Sequence, residues 1–225
     1  DPTYGRFMSV DPLWAKYAAY SSYQYALNLP VFYKDPSGET VVVEDPATGD
    51  VYTFDGHDLI AEDGTKYEGD NEFLVSTRQH LVYQISLGGD ALENMLTLMN
   101  LPLLTTFSQG RFGDGSETRA DGYEGPDAGL ELATALGVGV PSRVLIDPMS
   151  PRTKSDCDLA EEYAHEIGHE VAYVTGTRSY DSEWQGLAAE NYVRMQHNKG
   201  MRVNWGPTSF PVRSVLPRTV SGVGK

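Results

Sequence analysis

The sequence predicts an α+β fold, and three observations carry that prediction. Valine- and aromatic-rich runs bracket turn residues after residue 40, apolar residues recur at helical spacing over 73–100 and 159–198, and a short apolar strand stands just ahead of the most strongly patterned helix. The strands come first. Val41-Val42-Val43 and Val51-Tyr52-Thr53-Phe54 flank Asp45-Pro46-Ala47-Thr48-Gly49-Asp50, which reads as a β-hairpin. A polar, Gly-rich stretch follows to residue 70, with room for further short strands. Phe73, Leu74, Leu81, Val82, Ile85 and Leu87 then fall at helical spacing, with Asp70 or Asn71 as the cap. Ala91 to Asn100 predicts a second helix, ended by Pro102, and 109–126 reads as a long loop rich in Gly, Asp and Ser. Arg143-Val144-Leu145-Ile146-Asp147 is a strand stopped by Pro148. The next helix is expected from Ser155 or Asp156 to Gly176, with Asp158, Glu161 and Glu162 favouring its positive end. A last helix runs from about Ser182 to Asn198, ended by Gly200.

Composition narrows the function classes. The chain has 225 residues, 17 Lys+Arg against 32 Asp+Glu, and a formal charge of −15. Phosphate-backbone binding needs clustered Lys and Arg, so this acidity argues against nucleic acid. No apolar run approaches the roughly 20 residues needed to span a bilayer. The lone Cys157 excludes an internal disulfide framework and a Cys-rich zinc fold. The charge is uneven: residues 1–38 are neutral, 39–72 and 73–198 each carry −10, and the last 27 residues carry +5. The shift near residue 38 marks a domain boundary between 1–38 and 39–225. The start at Asp1-Pro2, without Met or basic leader, reads as a piece of a longer protein.

The chemistry lies in Tyr163-Ala164-His165-Glu166-Ile167-Gly168-His169-Glu170. Histidines at i and i+4 stand one helical turn apart, so both imidazoles can reach one zinc ion at about 2.0–2.1 Å. Glu166 projects beside that face, placed to take a proton from an attacking water. Leu159, Tyr163, Ile167, Val171 and Val174 form an apolar stripe, with His165, His169 and Ala172 on the other side, so the helix should run through the core. Gly168 costs the helix roughly 1 kcal/mol, which close packing or the cleft would explain.

A catalytic zinc needs a third protein ligand. Ala172 and Thr175 stand where metzincins have Gly and His, so Glu190 leads, behind Ala188 and Ala189, as in gluzincins. Asp181, Glu183 and His197 are the alternatives, and Glu183, Glu190, Arg194 and His197 share one helix face by spacing. Tyr173, Tyr180 or Tyr192 could stabilise an oxyanion. His57 and His80 read as surface or structural.

Two resemblances extend this reading. Asp1-Pro2-Thr3-Tyr4-Gly5-Arg6-Phe7-Met8-Ser9-Val10-Asp11-Pro12, then Tyr23-Gln24-Tyr25-Ala26-Leu27-Asn28-Leu29-Pro30 and Asp35-Pro36-Ser37-Gly38, resembles the end of the core of Rhs/YD-repeat proteins. That resemblance implies a β-shell of repeats upstream, enclosing a C-terminal toxin delivered into a target cell. It also implies aspartate-dependent self-cleavage near residues 38–40, with Asp11 and Asp35 as the candidates, although Glu39 stands where the family usually has Leu. Over 72–206, the HEIGH helix, Glu190-Asn191-Tyr192-Val193-Arg194 and Gly200-Met201-Arg202 resemble secreted-effector zinc metallopeptidases. The expectation is a zincin-like zinc metalloendopeptidase toxin acting on a protein of the target cell, with one zinc ion and a cognate immunity protein as partner. The competing expectation is a non-enzymatic, zinc-stabilised binding or adhesion module.

Overall fold

The computed structural model describes residues 41–101, 103–113, 115–120, 139–149, 158–176, 182–205 and 208–209. The Rhs-like segment with Asp11 and Asp35, and likewise Cys157, Tyr180 and Asp181, lie outside these residues.

Valines and a glycine turn make the first pair of strands. β1 (Val41–Glu44) and β2 (Val51–Phe54) run antiparallel with Val43 opposite Tyr52, and Gly49 closes the turn at φ +77°, a left-handed angle glycine adopts freely. β3 (Leu59–Ile60) adds to β2. Asn71 is the cap of α1 (Glu72–Leu87): its side-chain oxygen accepts from the N–H groups of Phe73 and Leu74. α2 (Gly89–Asn100) follows after the Gly88 turn.

Four strands lie where the sequence reading placed none, two of them in the main sheet and two in the ribbon of 204–209. β4 (Thr105–Gln109) pairs in parallel with β1 and with β6 (Ser142–Ile146), and β5 (Glu117–Ala120) pairs antiparallel with β6. β5 corrects the long loop expected over 109–126. Its sequence, Glu-Thr-Arg-Ala, has no apolar alternation because only the ladder with β6 makes it a strand. The sheet order is β3-β2-β1-β4-β6-β5, which leaves β5 at one edge of the described sheet.

α3 (Leu159–Val174) starts later than expected, because Asp158 is its cap. Asp158 accepts from the Glu161 N–H, and the Glu161 carboxylate accepts from the Asp158 N–H, a capping box. Gly176, at φ +72°, closes it as anticipated. α4 (Ser182–Gln196) ends through Asn198 at φ +57°, two residues ahead of Gly200. β7 (Asn204–Trp205) and β8 (Thr208–Ser209) form a separate ribbon.

The core unites Val41, Val43, Phe107, Val144 and Ile146 of the sheet with Leu74, Leu81, Met95 and Leu98 of α1 and α2. Tyr163, Ile167 and Val171 bring α3 into it, and every residue from Glu161 to Ala172 is buried. α3 packs against β5 and β6 and against α1, α2 and α4. Gly168 permits the last contact: a Cβ there would lie 2.6 Å from the Gln185 carbonyl oxygen. The architecture is α+β, with one buried helix as its hub, and no described helix is long and apolar enough to cross a membrane.

Candidate metal centre

The helical i, i+4 spacing does what the sequence asks of it. His165 and His169 present Nε2 to Nε2 at 3.0 Å, with ring centroids 4.7 Å apart. Both imidazoles are buried beneath α4. A third donor converges on the same point: Glu183 Oε2 lies 3.8 Å from His165 Nε2 and 3.7 Å from His169 Nε2. Three donors around one tetrahedral ion at about 2.0–2.2 Å stand roughly 3.4 Å apart, so this triangle has the size and donor chemistry of a zinc site. His165, His169 and Glu183 form one group able to hold a metal ion.

Gly186 keeps the site open. A Cβ at that position would lie 3.0 Å from His165 Cε1, His165 Nε2 and His169 Nε2 at once. The helix that supplies Glu183 thus offers the imidazoles a bare backbone.

Glu190 sits two turns along α4 from Glu183 and meets the other edge of the ring. Its Oε2 accepts from His165 Nδ1 at 3.1 Å, and its Oε1 accepts from Arg202 Nη1 at 3.0 Å. A carboxylate can only accept, so His165 carries its proton on Nδ1 and turns the Nε2 lone pair toward His169 and Glu183. The leading sequence candidate for third ligand is therefore an orienting partner by geometry, while Glu183, an alternative, stands among the donors. His197 stands apart, with its Nε2 against the Tyr83 hydroxyl at 2.8 Å and its Nδ1 3.0 Å from Asp158.

Glu166 points from α3 toward the sheet edge. Thr118 faces inward because it pairs with Val144, and its hydroxyl donates to Glu166 Oε2 at 3.0 Å. Glu166 is the middle of three glutamates at i, i+4 and i+8. Glu162 accepts from the Ser116 N–H at 3.2 Å, and Glu170 Oε1 accepts from the Thr105 and Ser142 hydroxyls at 2.6 and 2.8 Å. Thr105 and Ser142 are cross-strand neighbours, so the register itself builds that two-donor cradle. The 162–166–170 spacing is plain in the sequence, but of its partners only Ser142 belongs to a strand that an apolar run reveals.

Tyr173 follows His169 by one turn. Burial, with the Glu170, Glu166 and Glu183 carboxylates, raises its phenol above the usual range, so it stays a hydrogen-bond donor at neutral pH. Tyr192 instead donates to the Leu87 carbonyl at 3.4 Å. His57 is exposed beside Asp58, and His80 stacks on Tyr163 at 4.6 Å.

A second group of metal-ligating residue types, Asp158, Glu161 and His197, lies where the end of α4 meets the start of α3. Lys199 Nζ stands 2.7 Å from Glu161 and 3.2 Å from Asp158, and Arg194 Nη1 stands 3.0 Å from Glu161. This cluster already has its cations. Comparison of the chain with protein families, curated proteins and solved structures finds no match.

Proposed function

We propose that residues 39–225 form a zincin-like zinc metallopeptidase, with His165, His169 and Glu183 holding the ion and Glu166 as general base. The observation that carries this reading is the convergence of two Nε2 atoms and one carboxylate oxygen before Gly186, with Glu166 on the helix of the two histidines. Zinc held there would supply Lewis acidity, polarising a peptide carbonyl and making water a nucleophile at neutral pH.

The chain's own groups do the rest. Glu166 takes the proton of the attacking water and returns it to the departing amine. Thr118 holds the Glu166 carboxylate from the strand side through Oε2. Glu190 keeps His165 in the tautomer that presents Nε2. Tyr173 donates to the carbonyl oxygen as it gains negative charge. An extended peptide adding to β5 would run past Glu166, since β5 ends the described sheet and Thr118 touches that residue.

Residues 1–38 belong, on this reading, to the end of an Rhs core, and the peptidase is the toxin that such a shell delivers. Asp11 and Asp35 are the candidates for its release. The −15 charge suits a cognate immunity protein with a basic face.

The test is proteome-wide mapping of new N-termini in target cells expressing 39–225, with Glu166→Gln beside it. Termini that vanish in the variant identify a peptidase. Toxicity that survives Glu166→Gln, with no such termini, identifies the zinc-stabilised binding module instead.

A further inference from the structure

Residues 199–202 fold back along α4, and the three polar residues of Glu190-Asn191-Tyr192-Val193-Arg194 each grip the return. Asn191 brackets the backbone of Arg202, its Nδ2 donating to the Arg202 carbonyl at 2.8 Å and its Oδ1 accepting from the Arg202 N–H at 2.7 Å. Arg194 Nε donates to the Gly200 carbonyl at 2.7 Å. Arg202 Nη1 reaches Glu190 Oε1 at 3.0 Å, and the other oxygen of Glu190 faces His165 Nδ1. Glu190 is fully buried, whereas the Arg202 side chain is 31% exposed.

We infer that Arg202 is a positioning residue for the metal centre, and that the 199–202 return is a strap whose docking is coupled to metal occupancy. This rests on the reading of His165, His169 and Glu183 as ligands. A carboxylate bonded through one oxygen can swing about its side-chain torsions. Bonded through both, it has a fixed plane, and so does the imidazole it holds. The chain Arg202–Glu190–His165 thus carries the position of a surface segment to a ligand nitrogen. Asn191 adds precision, because it fixes the Arg202 backbone from which the guanidinium reaches Glu190. Partners behind a metal-bound histidine are worth about 10–100-fold in metal affinity. Coupling of this kind is reciprocal, so the metal must tighten the strap by the factor with which the strap tightens the metal.

Two measurements on the full chain test this. The first is zinc affinity by chelator competition. Arg202→Met should bind zinc about 10–100-fold more weakly than the unsubstituted chain. Arg202→Lys, which keeps a charged donor at Glu190 Oε1, should recover part of that loss. The second is amide hydrogen exchange of the unsubstituted chain, in which zinc should slow exchange of the Arg202 N–H. Zinc affinity of Arg202→Met within twofold of the unsubstituted chain overturns the inference, as does unchanged exchange at Arg202 on adding zinc. If Arg202→Met fails to fold by circular dichroism, the exchange experiment decides alone. An unsubstituted chain that takes up no zinc overturns the ligand reading itself, a separate result.

Discussion

Two clusters on α3 and α4 use the same residue types in different surroundings. One gathers His165, His169 and Glu183, the other Asp158, Glu161 and His197. In the second, Lys199 and Arg194 lie within 2.7–3.2 Å of the carboxylates, so the acidic groups are neutralised by the protein's own cations. In the first, two imidazole nitrogens face each other at 3.0 Å, with a carboxylate oxygen near both. Residue type alone does not separate a metal centre from an ion-pair clamp. What separates them is which cation completes the charge, and whether a small residue such as Gly186 leaves space before the donors.

The largest expected effect breaks the symmetry between the clusters most sharply. Glu166→Gln should cut peptide hydrolysis by about 10²–10⁴-fold, the usual contribution of a general base, with zinc stoichiometry kept. His197→Ala, in the clamp, should leave the rate per folded molecule unchanged. Both are read by a cleavage assay with zinc quantified in the same samples. Equal losses in the two variants would erase the distinction.

The next effect separates ligand from orienting partner. Glu183→Ala removes a donor and should weaken zinc by more than roughly 100-fold, beyond the range for the groups behind a ligand. Glu190→Gln keeps the shape but can present an amide to His165, and should cost about 10–100-fold. His197→Ala should leave zinc affinity unchanged and lower stability by about 1 kcal/mol, the order of one net hydrogen bond. Chelator competition and urea unfolding read these outcomes. If Glu190→Gln loses more zinc than Glu183→Ala, the two glutamates exchange roles.

Much of this is legible in the sequence. Hairpin, helices and the 143–147 strand follow from apolar periodicity, and the two histidines and Glu166 follow from i, i+4 geometry on a helix. Three things were not legible. β5 was hidden because Thr118 and its neighbours are polar and form a strand only against β6. Glu183 and Glu190 were indistinguishable by spacing, since seven residues bring a helix back to nearly the same face. Only the position of α4 along α3 decides which of them meets Nε2 and which meets Nδ1. The Glu162 and Glu170 cradles likewise depend on strand register, which no local pattern in β4 or β5 reveals.

The two glycines at the contact of α3 and α4 sharpen the comparison at its finest scale. Gly168 lies on α3, where a Cβ would stand 2.6 Å from Gln185 O and 2.8 Å from Gly186 Cα. Those are backbone atoms, so Gly168→Ala must push the helices apart. Alanine's better helix propensity offsets about 1 kcal/mol of the overpacking penalty of about 1–3 kcal/mol, which leaves a modest net loss of stability. Gly186 lies on α4, and its added Cβ would meet imidazole atoms at 3.0 Å rather than backbone. Side-chain rings can yield, so Gly186→Ala should leave urea stability nearly intact and instead weaken zinc, because the rings must turn away from their shared focus. One methyl group on either side of the same contact should thus be read by two different instruments, urea for Gly168 and a chelator for Gly186. If both substitutions act on stability alone, the space before the imidazoles serves packing and not an ion.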